Sequence, residues 1–177
     1  ETDESRPANL VTMAGLAWFA PAMTLDYLGH LRKDSARFMS VIRDAPTDGQ
    51  VPSCPDWRSD DLLWHLGEVQ HLWGTVVRDG LTDPDGYEEP VRPRDRAGLL
   101  VFFEEATTTL QTALAGTDPA AHRWTWSEDQ TAGFILRRQA HEALIHRIDA
   151  ELTADVARDP VDPALAADGV DEALRVM

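Results

Sequence analysis

The chain has 177 residues, 43% of them hydrophobic, enough to bury the core of a single domain. Its 16 Lys and Arg against 31 Asp and Glu give a formal charge of −15, which excludes a sequence-independent hold on nucleic acid or on an anionic membrane. Cys54 is the only cysteine, so no intramolecular disulfide can form, and a reducing cytoplasm is the expected location; no apolar run reaches the length of a membrane span.

Residues 1–22 open on acids (Glu1, Asp3, Glu4) and continue into an apolar run from Leu10 to Ala22. They read as an N-terminal extension, not as core, and the acidic start argues against a signal peptide. From Thr24 to about Ala45, Leu25, Leu28, Leu31, Phe38 and Ile42 recur near helical spacing, with Thr24 as N-cap and Asp26 in the first turn. The stretch from Ala45 to Trp57 holds three prolines and a glycine, and is expected to be an ordered, turn-rich loop. A second helix is expected from an N-cap at Ser59, with Asp60 and Asp61 in its first turn. Leu62, Leu66, Val69, Trp73 and Val76 form its apolar face, and Gly80 closes it.

After a second loop with three prolines, Leu81 to Asp95, a third amphipathic helix carries Leu99, Phe102, Phe103, Ala106, Leu110 and Leu114 and ends near Gly116. Residues 117–132 read as an irregular crossing with a short strand at Trp124 to Trp126. The fourth helix spans about Phe134 to Ala154, and Ala164 to Met177 reads as one or two short helical turns. The fold class is therefore all-α, a four-helix bundle over residues 23–155 with long loops, followed by a C-terminal segment from residue 156 that stops abruptly.

Chemistry concentrates in the fourth helix, from Arg137 to Glu151. At about 100° per residue, Glu142 and His146 lie one turn apart on one face, so a carboxylate and an imidazole can reach one ion. His141 sits about 140° around from His146 and cannot share that ion. Three residues separate Glu142 from His146, so the run is not the HExxH zinc-protease motif. A third ligand is needed, and His65, placed between Leu62 and Leu66 on the bundle-facing side of the second helix, is the natural one. Three ligands from two helices leave room for water or substrate, as in a catalytic site.

Two readings of the Glu142 stripe stay open on spacing alone. Phe134, Leu144, Ile145, Ile148 and Leu152 form an arc centred on His141, which leaves Glu142, His146, Gln139 and Asp149 on a stripe that a solvated face would also show. In that alternative Glu142 and Asp149 are surface acids pairing with Arg138 and Arg147. Against it, Ala140, Ala143 and Ala150 allow close packing on a third side, and Asp149 is placed to orient the His146 ring. His141 reads as a core or cavity-lining histidine, and Trp57 as a cavity wall. Arg137 or Arg138 is a candidate for gripping a carboxylate. His30, His71, His122 and Cys54 carry no partner at useful spacing.

Val51-Pro-Ser-Cys-Pro-Asp-Trp57, Asp61-Leu-Leu-Trp-His65-Leu-Gly67, Arg138-Gln-Ala-His-Glu142-Ala-Leu-Ile-His146-Arg-Ile-Asp149-Ala150 and the run from Asp162 to Glu172 stand in a familiar order. From Met23 to Met177 the chain resembles the N-terminal metal-binding domain of the mycothiol-dependent maleylpyruvate isomerase family, within the DinB-like four-helix bundles. The resemblance implies a divalent metal, usually zinc, on His65, Glu142 and His146. It also implies mycothiol as the thiol co-substrate, an actinobacterial host, and thiol S-transferase or isomerase activity on a small electrophile. A smaller C-terminal domain is implied after such a bundle, so residues 156–177 are expected to be a truncated C-terminal segment. A homodimer is compatible with the bundle. The reading from a different class is a non-catalytic bundle that binds a ligand or partner and keeps the metal as a structural or vestigial feature.

Overall fold

The computed structural model describes residues 25–176. Residues 1–22 and the proposed cap Thr24 lie outside that range. Five α-helices are present among the described residues: α1 (Tyr27–Asp44), α2 (Ser59–Asp79), α3 (Arg96–Gly116), α4 (Ala132–Thr153) and α5 (Pro163–Val176). No strand occurs among them, only the isolated bridges Gln50 to Arg58 and His122 to Thr131. The architecture is the all-α helical bundle expected from the periodicity.

Helix starts follow local chemistry. Asp26 is the N-cap of α1, not a first-turn residue, and its carboxylate accepts from the Gly29 N–H at 2.8 Å. At α2 the cap is Arg58, one residue before the expected Ser59. Ser59 is already helical and its hydroxyl donates to the Pro46 carbonyl at 2.6 Å, while the Asp61 carboxylate accepts from the Arg58 N–H at 2.9 Å. Asp95 and Thr131 cap α3 and α4 in the same way. Gly80 ends α2 in the left-handed region at φ 70°, where a side chain would be strained.

Two expectations are corrected. The crossing over residues 117–131 contains no strand at Trp124 to Trp126. Its backbone pairs through Arg123 with Gln130 and Ala132 with Ala121, and Trp124 stacks on Trp73 with ring centroids 5.8 Å apart. The segment from Pro163 to Val176 is one 14-residue helix, not a pair of loose turns. Asp162 accepts from the Ala164 and Leu165 N–H groups, and Pro163 stands at the first helical position, where its missing N–H costs nothing.

Helix α1 packs chiefly on α4 and α2 on α3, with lighter contact between α2 and α4 and between α1 and α3. Fully buried Phe38, Ile42, Val51, Leu62, Leu66 and Phe103 fill the end of the bundle nearest the α1–α2 loop. Leu31, Trp73, Val76, Leu110, Ile135 and Ala140 fill the other end. Each fully buried large side chain contributes about 1.5–3 kcal/mol. The small residues Ala140, Ala143 and Ala150 are wholly buried and let neighbouring helices approach α4 closely.

Helix α4 is enclosed differently from its sequence wheel. Ile145 and Leu152, placed on the apolar arc, are 50% and 37% exposed, whereas Gln139, His146, Arg147, Asp149 and Glu151 are buried. The polar stripe faces inward. A second polar network secures it: buried Arg147 meets Glu151 at 2.9 Å and Asp34 at 3.1 Å, and donates to the Asp159 carbonyl at 2.9 Å, which binds the α4–α5 connection to the bundle. The alternative that paired Arg147 with a surface Asp149 therefore fails, because Arg147 turns to Asp34 and Glu151 instead.

Candidate metal centre

His65, Glu142 and His146 come together from α2 and α4, with one ligand atom of each lying within 4.8 Å of the others. The Glu142 Oε1 atom is 3.1 Å from His146 Nε2 and 3.6 Å from His65 Nε2. The two imidazoles meet edge to face, centroids 4.9 Å apart at 83°. The i to i+4 spacing on α4 supplies the first pair, and the apolar surroundings of His65 turn it inward to complete the set.

Each ligand-type side chain is held from behind. Asp149 is buried, and its Oδ2 lies 2.9 Å from His146 Nδ1. In that contact the Nδ1–H donates to the carboxylate, which leaves Nε2 facing Glu142. The other Asp149 oxygen accepts from the Ser53 hydroxyl at 2.6 Å, so the proline-rich loop reaches the site. Arg138 pairs with Glu142 Oε2 one turn back along α4, and donates to Glu172 Oε2 on α5 at 2.8 Å. Trp57 lies against His65 with centroids 4.8 Å apart.

The electrostatics follow from this packing. Burial disfavours the Glu142 carboxylate, but hydrogen bonds from His146 and His65 and the Arg138 charge overcome it and hold its pKa well below the usual range. Burial likewise disfavours the His146 cation, yet its bonds to Asp149 and Glu142 push the pKa up to about 9. A proton therefore occupies the Nε2 to Oε1 line that a cation would take. Two imidazole nitrogens and a carboxylate oxygen, one imidazole already backed by a carboxylate, are a donor set that fits a divalent ion such as zinc and leaves a coordination position open.

Other residues singled out in the sequence sort around this centre. Trp57 and His65 line a cavity of about 420 Å³ together with Asp56, Asp61, Trp64, Glu68 and Arg92. His141 is buried but belongs elsewhere: its Nε2 lies 2.8 Å from Asp168 Oδ2 on α5, and it lines a separate, mainly apolar cleft of about 320 Å³ between α4 and α5. Arg138 also borders that cleft. Both candidate arginines hold carboxylates of the chain itself: Arg138 those of Glu142 and Glu172, and Arg137 both oxygens of Asp168 at 3.0 Å. Gly169 lies close to this contact: a Cβ there would stand 3.1 Å from His141 Nδ1 and would require the ring to shift by a few tenths of an ångström. Ser53 and Glu172 were missed as site residues, because neither shows a spacing signal that links it to α4.

Fold and site together define a helical bundle with a His, Glu, His cluster of metal-binding type. Residues 28–151 match the mycothiol maleylpyruvate isomerase N-terminal domain, and the chain belongs to that family. No curated protein and no solved structure matches it. The family and the donor set together make this a DinB-like, mycothiol-related domain of metal-binding type. No helix among the described residues is long and apolar enough to cross a membrane.

Proposed function

We propose that this chain is a divalent-metal-dependent enzyme, with zinc on His65, Glu142 and His146, that uses mycothiol as nucleophile toward a small electrophile. The observation that carries this reading is the approach of the three ligand atoms to within 4.8 Å at the edge of an open cavity. A bound dipositive ion would lower the pKa of a coordinated thiol and make it a nucleophile near neutral pH.

The chain's own residues prepare that chemistry. Asp149, backed by Ser53, holds the His146 ring with Nε2 toward the cluster. Arg138 takes one oxygen of Glu142 and leaves the other to the histidines. Trp57 flanks His65 and forms one wall of the cavity. In the reaction, thiolate sulfur adds to an electrophilic carbon and the adjacent carbon takes a proton. Stopping there gives an S-transferase; rotation followed by loss of the proton and the thiolate gives an isomerase. On this reading the partners are a thiol and a small electrophile in an actinobacterial cytoplasm, without nucleic acid or membrane.

Metal analysis tests the first half. One equivalent of divalent ion is expected in the purified protein and much less in His146→Ala; an equal content in both would refute the assignment. Thiol consumption with a panel of electrophiles tests the second, and its absence with a fully loaded site would leave a non-catalytic bundle.

A further inference from the structure

The cavity that opens beside His65 is lined by more carboxylates than guanidinium groups. Asp56, Asp61 and Glu68 line it, and Arg92 is the one cationic side chain among its lining residues. Arg92 is committed: its Nη2 donates to Asp61 Oδ1 at 2.8 Å and to the Asp60 carbonyl at 3.3 Å. Arg138, behind Glu142, is likewise occupied by Glu142 and Glu172.

A dipositive ion on the three ligands would not reverse this balance. Glu142 and Asp149 already offset its charge, and Arg138 is matched by Glu172. The cavity is left with an excess of carboxylates over guanidinium groups. A volume of about 420 Å³ makes it comparable in width to the Debye length of about 8 Å at physiological ionic strength, so salt at that level does not erase the field. The remaining walls, Trp57 and Trp64, offer aromatic faces that attract cations and accept uncharged groups. Recognition of a carboxylate draws on a free guanidinium fork or its equivalent, and the lining provides none.

From these contacts we propose that the cavity over His65 rejects carboxylates and admits uncharged or cationic groups, so the electrophile brought to the nucleophile is not a dicarboxylate. Maleylpyruvate is the kind of molecule this excludes. The inference rests on the metal and thiol reading of the site and adds the class of substrate.

The test uses the full chain loaded with cobalt(II) and three small thiols that differ in tail charge: cysteamine, 2-mercaptoethanol and 3-mercaptopropionate. Binding is read from the thiolate-to-cobalt charge-transfer band. The quantity compared is the ratio of the 3-mercaptopropionate to the cysteamine dissociation constant, in the unaltered protein and in the Asp56→Asn, Glu68→Gln double variant. The thiols' own acidities cancel in that comparison. The ratio should fall about fivefold to tenfold in the variant, the scale expected when two partly screened charges are removed. In the unaltered protein it should also shrink at about 1 M salt, where the Debye length is about 3 Å. The salt series needs no variant. A ratio unchanged by both the substitutions and salt overturns the proposal. Failure to take up cobalt overturns instead the metal assignment, and bound cobalt without a thiolate band overturns the thiol assignment; the charge-selection proposal falls with either.

Discussion

Glu172 on α5 and Arg138 on α4 are joined at 2.8 Å, and the same guanidinium holds the carboxylate of Glu142. The last described helix is thereby tied to a metal-type ligand through one partly buried arginine. Glu172→Gln removes the charge that balances Arg138 and lets the guanidinium compete harder for Glu142. Zinc affinity is expected to fall about tenfold, the usual scale for a group that supports a ligand. Competition with a chromophoric chelator measures it; an unchanged affinity would show that α5 is uncoupled from the site.

Asp149 offers a second lever on the same centre. Asp149→Asn keeps the shape but replaces the carboxylate that faces His146 Nδ1, so zinc should bind about 10- to 100-fold more weakly. The His146 pKa, followed by NMR in the metal-free protein, should drop toward its ordinary value. Ser53→Ala removes only the outer bond to Asp149 and should have the smaller effect of the two.

Proton and metal compete at His146. Its folded-state pKa of about 9 lies above the ordinary value, so in the metal-free protein its contribution to stability is fully present below about pH 6.5. That contribution fades as pH rises through about 9. The melting temperature of the metal-free protein should fall across this window, and His146→Ala should flatten the slope. Because an ion must displace one proton, apparent affinity should rise about tenfold per pH unit below about pH 9 and then level off. Calorimetry in buffers of different ionisation enthalpy should count that proton. The acid limb has the opposite sign: the depressed Glu142 pKa gives stability that is lost as pH drops below the usual carboxylate range.

Away from the site, Arg147 is 1% exposed and lies between Asp34 and Glu151, themselves almost wholly buried. Arg147→Ala strips buried Asp34 of its guanidinium partner, leaves Glu151 with Arg37 alone, and releases the Asp159 carbonyl. A loss of about 3–5 kcal/mol in urea denaturation is expected. Protease cleavage near Asp159 should increase in parallel.

Helical periodicity was enough to place Glu142 and His146 on one side of one helix, and to put His65 among the apolar positions of another. Both follow from local geometry, since residues four apart are neighbours on any α-helix. The same periodicity gave the four long helices, because each carries a continuous apolar stripe bounded by caps and prolines. It misplaced part of α4: Ile145 and Leu152 of the apolar arc are exposed and Arg147, offered as a surface partner, is buried, while Phe134, His141 and Leu144 of the arc are buried as expected. A wheel ranks residues by apolarity, but a helix enclosed by α1, α2 and α5 buries polar groups wherever partners satisfy them.

The sequence by itself thus determined which ligands α4 could offer and which histidine could join them. Tertiary structure decided that the polar stripe points into the bundle, that Ser53 stands behind Asp149 across 96 residues, and that Glu172 reaches Arg138 across 34. Such pairings depend on how helices and loops pack against one another, a relation that neither spacing nor propensity encodes.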